Sequence, residues 1–319
     1  MYNLIKMELY RLCHATSTWV ILAVAVAGVA ALMALTGALV SFAGETEDGT
    51  EVLAAEVEEN VSNEDASGED ASGENLSGED LSWDDASENN SSGNGVTAEI
   101  YMNAEDDWNS EEADLAETLA SVLQGGLFSI LCVILAATYA YADQKNGYLK
   151  NIAGQYPSRE KLVLAKCAAT AVAVLVFLAA CVATVTIGAK IIWGSSLHIG
   201  SFGELMKLIG IYYLLLVAFS LVTLMVTILA RSSTAGVIVG ILVNANMLSV
   251  IYTMINLLVE KVLPNANFDS SLYTIEYCLG SYGAGASSGD TAKAVAVALI
   301  YGALAAAVAA WVMKKRDVV

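Results

Sequence analysis

Of the 319 residues, 56% are hydrophobic and only 15% charged, with a mean hydropathy of +0.57; soluble domains usually carry about 25% charged residues. A soluble globular chain is excluded, and the composition is that of a polytopic membrane protein. The formal net charge of −19 is concentrated between Glu45 and Glu117, a stretch without a Lys or Arg, while the remainder is mildly basic. No basic cluster is dense enough to neutralise a run of phosphates, which excludes nucleic-acid binding.

Residues 1–16 place Leu4, Ile5, Leu9 and Leu12 at helical spacing, with Asn3, Lys6 and Arg11 towards the other side. This is the pattern of an amphipathic interfacial helix leading to Trp19 at headgroup level. A helix needs about 20 mainly apolar residues to cross a bilayer. Six segments qualify: 17–43, 116–141, 162–192, 205–230, 234–259 and 292–313. The first is longer than the apolar core of a secretory signal and reads as a retained span.

Residues 44–115 are acidic and of low complexity. A five-residue unit recurs as EDASG, EDASG, ENLSG, EDLSW and DDASE from Glu64 onwards. So few large apolar side chains cannot offset the entropy of ordering the chain, so a largely disordered insert is expected. Its carboxylates suit weak Ca²⁺ binding or attraction of cationic peptides. The flanks EVLAAEVEENV and AEDDWNSEEADLAETLASVL have helical patterning, and the second is expected to run on into the second span.

Lys6, Arg11, Lys145, Lys150, Arg159, Lys161, Lys166, Arg231, Lys314, Lys315 and Arg316 fall on one side of six spans, against Lys190, Lys207, Lys261 and Lys293 on the other. The positive-inside rule then places both termini, and the basic tail 314–319, in the cytoplasm and the acidic insert outside. The fold class expected is an all-α polytopic membrane protein with six transmembrane helices and a largely disordered acidic extracellular insert.

The cytoplasmic segment 142–161 is richer than a connector requires. Tyr148, Leu149, Ile152 and Tyr156 give a short helix one apolar side, Gly154 and Pro157 end it, and Ser158 with Glu160 caps the next span. A two-turn helix is not stable alone, so it must dock on headgroups or on a partner protein. Lys150, Asn151, Gln155 and Arg159 favour the partner.

Within the spans, Gln124, Asn244, Asn246 and Asn256 would line a substrate route or join helices by hydrogen bonds. The spans hold no central Asp or Glu, which speaks against a proton- or sodium-coupled carrier. The scattered cysteines, Cys13, Cys132, Cys167, Cys181 and Cys278, and the lone His14 and His198 have no metal-ligand spacing. No GxxxxGK[ST], HExxH or GxSxG motif occurs, so neither enzymatic activity nor a bound cofactor is expected. The aromatic and glycine-rich connection 260–291 reads as an interfacial loop or an outer gate.

The LIKMELYRL helix, the six spans, NGYLKNIAGQYPSREKLVLAK after the second span, ARSS between the fourth and fifth, and the terminal VMKKRDVV together resemble the permease subunit of a type-2 exporter-class ABC transporter. The nearest likeness is to permeases of lantibiotic or bacteriocin export and immunity systems. The resemblance implies that Gly147, Leu149, Lys150, Asn151, Ile152, Tyr156, Ser158, Arg159 and Lys161 form the coupling helix that docks on a separate ABC ATPase subunit. ATP and Mg would be held there. It further implies a second permease subunit, identical or different, in a bacterial cytoplasmic membrane. The alternatives from other classes are a membrane sensor or scaffold that binds cationic peptides through the acidic insert, and an ion-coupled carrier.

Overall fold

A computed structural model describes residues 2–61, 113–145, 160–262 and 269–315. By contact density the chain divides into two units, Met1–Leu35 with Tyr101–Val319, and Thr36–Ile100. Of the second, only the helix reaching Val61 is described; the pentad repeat lies outside the described residues.

The described elements are almost all helical, as expected for a chain with two prolines, Pro157 and Pro264, both outside the described segments. In order they are α1 (Tyr2–His14), α2 (Thr16–Val61), β1 (Ala113–Asp114), α3 (Leu115–Gln124), α4 (Leu127–Lys145), α5 (Glu160–Trp193), β2 (Leu197–His198) and α6 (Phe202–Ala230). They continue with α7 (Ser233–Asn244), α8 (Ser249–Val262), a 3₁₀ turn (Ser271–Tyr273), α9 (Ile275–Ser281) and α10 (Ser288–Lys315). β1 and β2 form a short parallel pair, Ala113 opposite Leu197 and Asp114 opposite His198.

Among the described residues, four helices are each long and apolar enough to cross a membrane: the Thr16–Val40 part of α2, α5, α6 and α10. Two bent pairs reach that length only together. The helices Leu115–Gln124 and Leu127–Ala142 meet at 54°, and Ser233–Asn244 and Ser249–Val259 at 62°. The sequence reads each pair as one continuous run, and the structure breaks both.

The causes of the breaks are local. Gly126 adopts φ +73°, which is open to glycine and costly for other residues. Asn246 adopts φ +53°, the left-handed region that Asn tolerates best after Gly. Nor does a helix run into the second run through Asp114. Asp114 is extended, and its carboxylate accepts from the Ala116 N–H, starting α3 there. The acidic flank 101–112 lies outside the described residues.

α6 is the central helix. Leu208, Tyr212, Leu215, Leu216, Phe219 and Leu224 are all buried on it, and α3, α4, α5, α7, α9 and α10 surround it. In a bilayer, apolar helices gain little by exchanging lipid for one another, so close van der Waals packing and interhelical hydrogen bonds decide which ones associate. α7 shows the mechanism. A Cβ on Gly236 would overlap Thr227 Oγ1 of α6 and lie 3.4 Å from Ala137 Cβ of α4; one on Gly240 would overlap Val133 of α4. Two glycines one turn apart let α7 lie backbone-close against both neighbours.

The N-terminal helix buries one face against the helical body. Leu4, Glu8 and Leu12, spaced by four, are its buried residues, and it lies along α5. Within the described part of the connection 260–291, Thr274, Ile275, Cys278, Leu279 and Tyr282 are buried. α9 packs on α6, α3 and α10, so this part is folded against the helical body.

Candidate functional site

The two helix breaks come together. Asn244, the last residue of α7, reaches the α3–α4 break, where its Nδ2 donates to the Gly126 carbonyl at 3.4 Å. The Ser129 hydroxyl, in the first turn of α4, lies 2.7 Å from that carbonyl and also against Asn244 Oδ1. Breaking a helix frees backbone groups that apolar surroundings cannot satisfy. Here a side chain from the end of one broken helix supplies the partner for the other. Discontinuous helices whose ends meet inside a bundle are a recurrent way of building polar sites in membrane proteins.

At the break itself, Gln124, the last residue of α3, donates from Nε2 to the Tyr282 carbonyl at 3.0 Å. The Tyr212 hydroxyl of α6 donates to the same oxygen at 2.6 Å. Two elements, α3 and α6, therefore converge on the C-terminal end of α9, and the Tyr282 ring meets that of Tyr212 edge-on at 6.0 Å. Beside this node is a cavity of 260 Å³ lined by Asp114, Glu117, Glu204, Lys207 and the Tyr282–Ala286 strand of backbone. Lys207 Nζ donates to the Ala286 carbonyl at 3.1 Å, fixing one wall.

A second polar cluster lies towards the far end of α4, about 18 Å from Leu127 at 1.5 Å per residue. Glu8, only 2% exposed, accepts from the Tyr139 hydroxyl at 2.6 Å and pairs with Arg11 Nη1 at 3.3 Å. Lys166 of α5, itself buried, places Nζ 4.7 Å from the centre of the Tyr139 ring. A carboxylate at this depth is costly unless it is paired and hydrogen-bonded. Glu8 satisfies both conditions and so ties α1 to α4 and α5 together. Sequence reading gave Glu8 no role; the signal was available, since Glu8 interrupts the Leu4–Leu12 stripe at the same four-residue spacing.

The predicted site residues divide sharply. Gly147, Leu149, Lys150, Asn151, Ile152, Tyr156, Ser158 and Arg159 lie outside the described residues. Lys161 is exposed in the first turn of α5, next to Glu160, which pairs with Lys314 of α10 at 3.0 Å. Gln124 and Asn244 meet other elements as described. Asn246 is the left-handed residue between α7 and α8, and its carbonyl accepts from the Ser249 N–H at 3.1 Å. Asn256 of α8 donates to Asp269 Oδ1 at 2.8 Å and accepts from the Ser270 N–H at 2.8 Å, tying α8 to the chain that leads into α9. Among the described residues no group of three or more His, Cys, Asp or Glu could hold a metal ion.

Comparison with known families places the chain. Residues 90–319 match the family described as protein of unknown function (DUF2705), and the chain belongs to that family. The match includes every described helix from α3 onwards. None of the curated proteins matches the sequence.

Proposed function

We propose that this chain is the permease subunit of an ABC transporter of the type-2 exporter class, moving an amphipathic substrate outward with energy from ATP hydrolysed on a separate subunit. In this reading each bent pair counts as one span, giving six, with both termini in the cytoplasm of a bacterial cell. The observation that carries the proposal is NGYLKNIAGQYPSREKLVLAK, which joins the ends of α4 and α5. Those two helices are the ones that the Glu8 cluster ties to α1.

A partner pushing on 147–161 would act on α4 and α5, and Glu8, Tyr139 and Lys166 would carry α1 with them. The junction of Gly126, Ser129 and Asn244 lies at the other end of α4, where a tilt of that helix would change the angle of both breaks. A chain without a GxxxxGK[ST] loop needs a partner for this work.

The test is affinity purification of the tagged chain from its native membrane in mild detergent, beside a Leu149→Asp, Ile152→Asp variant. An ATPase subunit that accompanies the native chain and is lost from a variant that still inserts and folds is the expected result. Recovery of no ATPase, under conditions that preserve a known ABC complex, would overturn the proposal.

A further inference from the structure

Among the described residues α8 is the one α-helix that buries nothing. Tyr252, Asn256 and Val259, on one side of it, are half-buried, and its other described residues are exposed; every other α-helix has at least one buried residue. Its chief neighbour in the body is the 3₁₀ turn Ser271–Tyr273. An apolar helix that interlocks with no other gives up little when it exchanges its lipid neighbours, so packing does not fix α8 at one angle.

The joint at its start concentrates the freedom in a few residues. α7 closes on itself: the Asn246 N–H donates to the Val243 carbonyl at 3.0 Å and the Met247 N–H to the Leu242 carbonyl at 3.1 Å, with Asn246 left-handed at φ +53°. These are the paired bonds of a Schellman end. Among the described backbone bonds only one, from the Ser249 N–H to the Asn246 carbonyl at 3.1 Å, crosses from this turn to α8. The chain is firm on both sides of the joint and its return. Gly236 and Gly240 wedge α7 against α4 and α6, and Asn244 is bonded to Gly126 of the α3–α4 break. Beyond α8 the chain re-enters the body at buried Thr274, and α9 leads to Tyr282, whose carbonyl is held by Gln124 of the same break.

We propose that α8 is a hinged helix: it swings about Met247–Leu248 between two or more angles to α7, and the α3–α4 break sets their populations. Hinges absorb large dihedral changes in a few residues at the end of an element while the packed parts keep their contacts. Gly126 and Ser129 hold the root of the swing and Gln124 holds its return, so a change of bend between α3 and α4 shifts both supports. That a partner acting through α4 drives the swing rests on the proposed function; the hinge does not.

The test is double electron–electron resonance on the full chain in lipid nanodiscs, with nitroxides attached through encoded azido-phenylalanine so that the native cysteines stay in place. One label sits at Val176 of α5, the other at Met254 of α8 or, as the fixed reference, at Ile238 of α7, all three being exposed. A single narrow distance to Ile238 and a broad or two-component one to Met254 are expected. Asn244→Leu should redistribute the Met254 components severalfold, and Asn246→Gly, which keeps the left-handed turn and frees the backbone there, should widen them. If the Ile238 distance broadens in Asn244→Leu, that variant has lost the α7 packing and Ser129→Ala takes its place. One narrow distance to Met254 overturns the hinge. So do equal widths at both labels, which would mean that the whole run moves, and Met254 components that no junction variant shifts, which would mean that the break does not set them. An ATPase that co-purifies with a chain whose α8 is fixed sinks the hinge alone, and a swinging α8 without an ATPase sinks only the transporter reading.

Discussion

α7 and α8 come from one apolar run, and they are held in opposite ways. α7 is pinned on both sides by backbone-close contacts at Gly236 and Gly240 and at its end by Asn244. α8 shows its large side chains to the surroundings: Val250 is 68% exposed and Met254 and Leu258 64% each. Its described hydrogen bonds to the chain leading into α9 run from Asn256 to Asp269 and Ser270 and from the Ser270 hydroxyl to the Tyr252 carbonyl at 3.2 Å. Hydrophobicity does not distinguish the halves, because in a membrane an apolar surface is stable whether it meets lipid or protein. Side-chain size does: glycine admits a neighbour, while Met, Ile and Leu hold one off.

If this contrast is right, the largest loss of stability comes from filling α7. Gly240→Leu should lower stability by about 3 kcal/mol or prevent folding, since overpacking a close contact costs roughly 1–3 kcal/mol and more where backbone must move. Thermal unfolding in detergent micelles measures it, and an unchanged midpoint would break the comparison at its first step. Next in size is Glu8→Ala, which removes the hydrogen bond from the Tyr139 hydroxyl and a charge from beside Arg11; about 2–3 kcal/mol is expected from a lost charge-assisted hydrogen bond at a buried site. Its effect should appear in the same melt and as increased protease access to α1.

Smaller again is the junction. Asn244→Ala should cost about 1–2 kcal/mol. Because Ser129 and Asn244 share the Gly126 carbonyl, adding Ser129→Ala should cost clearly less than in the native background. A double-mutant cycle with no coupling would show that the two breaks are independent. On α8, by contrast, Met254→Ala should shift the melting of the purified chain by under about 0.5 kcal/mol. A loss well above that would show that the exposed face of α8 packs against protein and not lipid.

The sequence shows the helical, membrane-embedded class plainly, because long apolar runs and the near absence of proline leave few other folds. It does not show the breaks. Gly125–Gly126 and Asn244–Ala245–Asn246 sit in runs apolar enough to look continuous, and the side chain that joins the two breaks comes from 118 residues away. Glu8 stands at the stripe spacing of Leu4 and Leu12 in the sequence, but its partner Tyr139 and the nearby Lys166 become visible only in the fold.

The smallest effect is acid sensitivity, and of the two halves only α8 should show it. Asp269 Oδ1 accepts from the Ser271 hydroxyl at 2.7 Å, the Ser271 N–H at 3.0 Å and Asn256 Nδ2 at 2.8 Å. These bonds hold its carboxyl below the usual carboxylate range, the Ser271 hydroxyl contributing most. A depressed folded-state value stabilises the turn above the ordinary carboxylate range, and that contribution is lost as pH falls through the folded value. Hydrogen exchange at the Ser270 and Ser271 amides, corrected for intrinsic rate, should therefore show less protection at about pH 3 than at pH 7, and Asp269→Asn should remove the difference. The α7 contacts hold no titratable group and should not respond. Equal acid sensitivity of the two halves would mean that α8 is fastened by something other than this carboxylate, and the distinction between a pinned helix and a tethered one would fail.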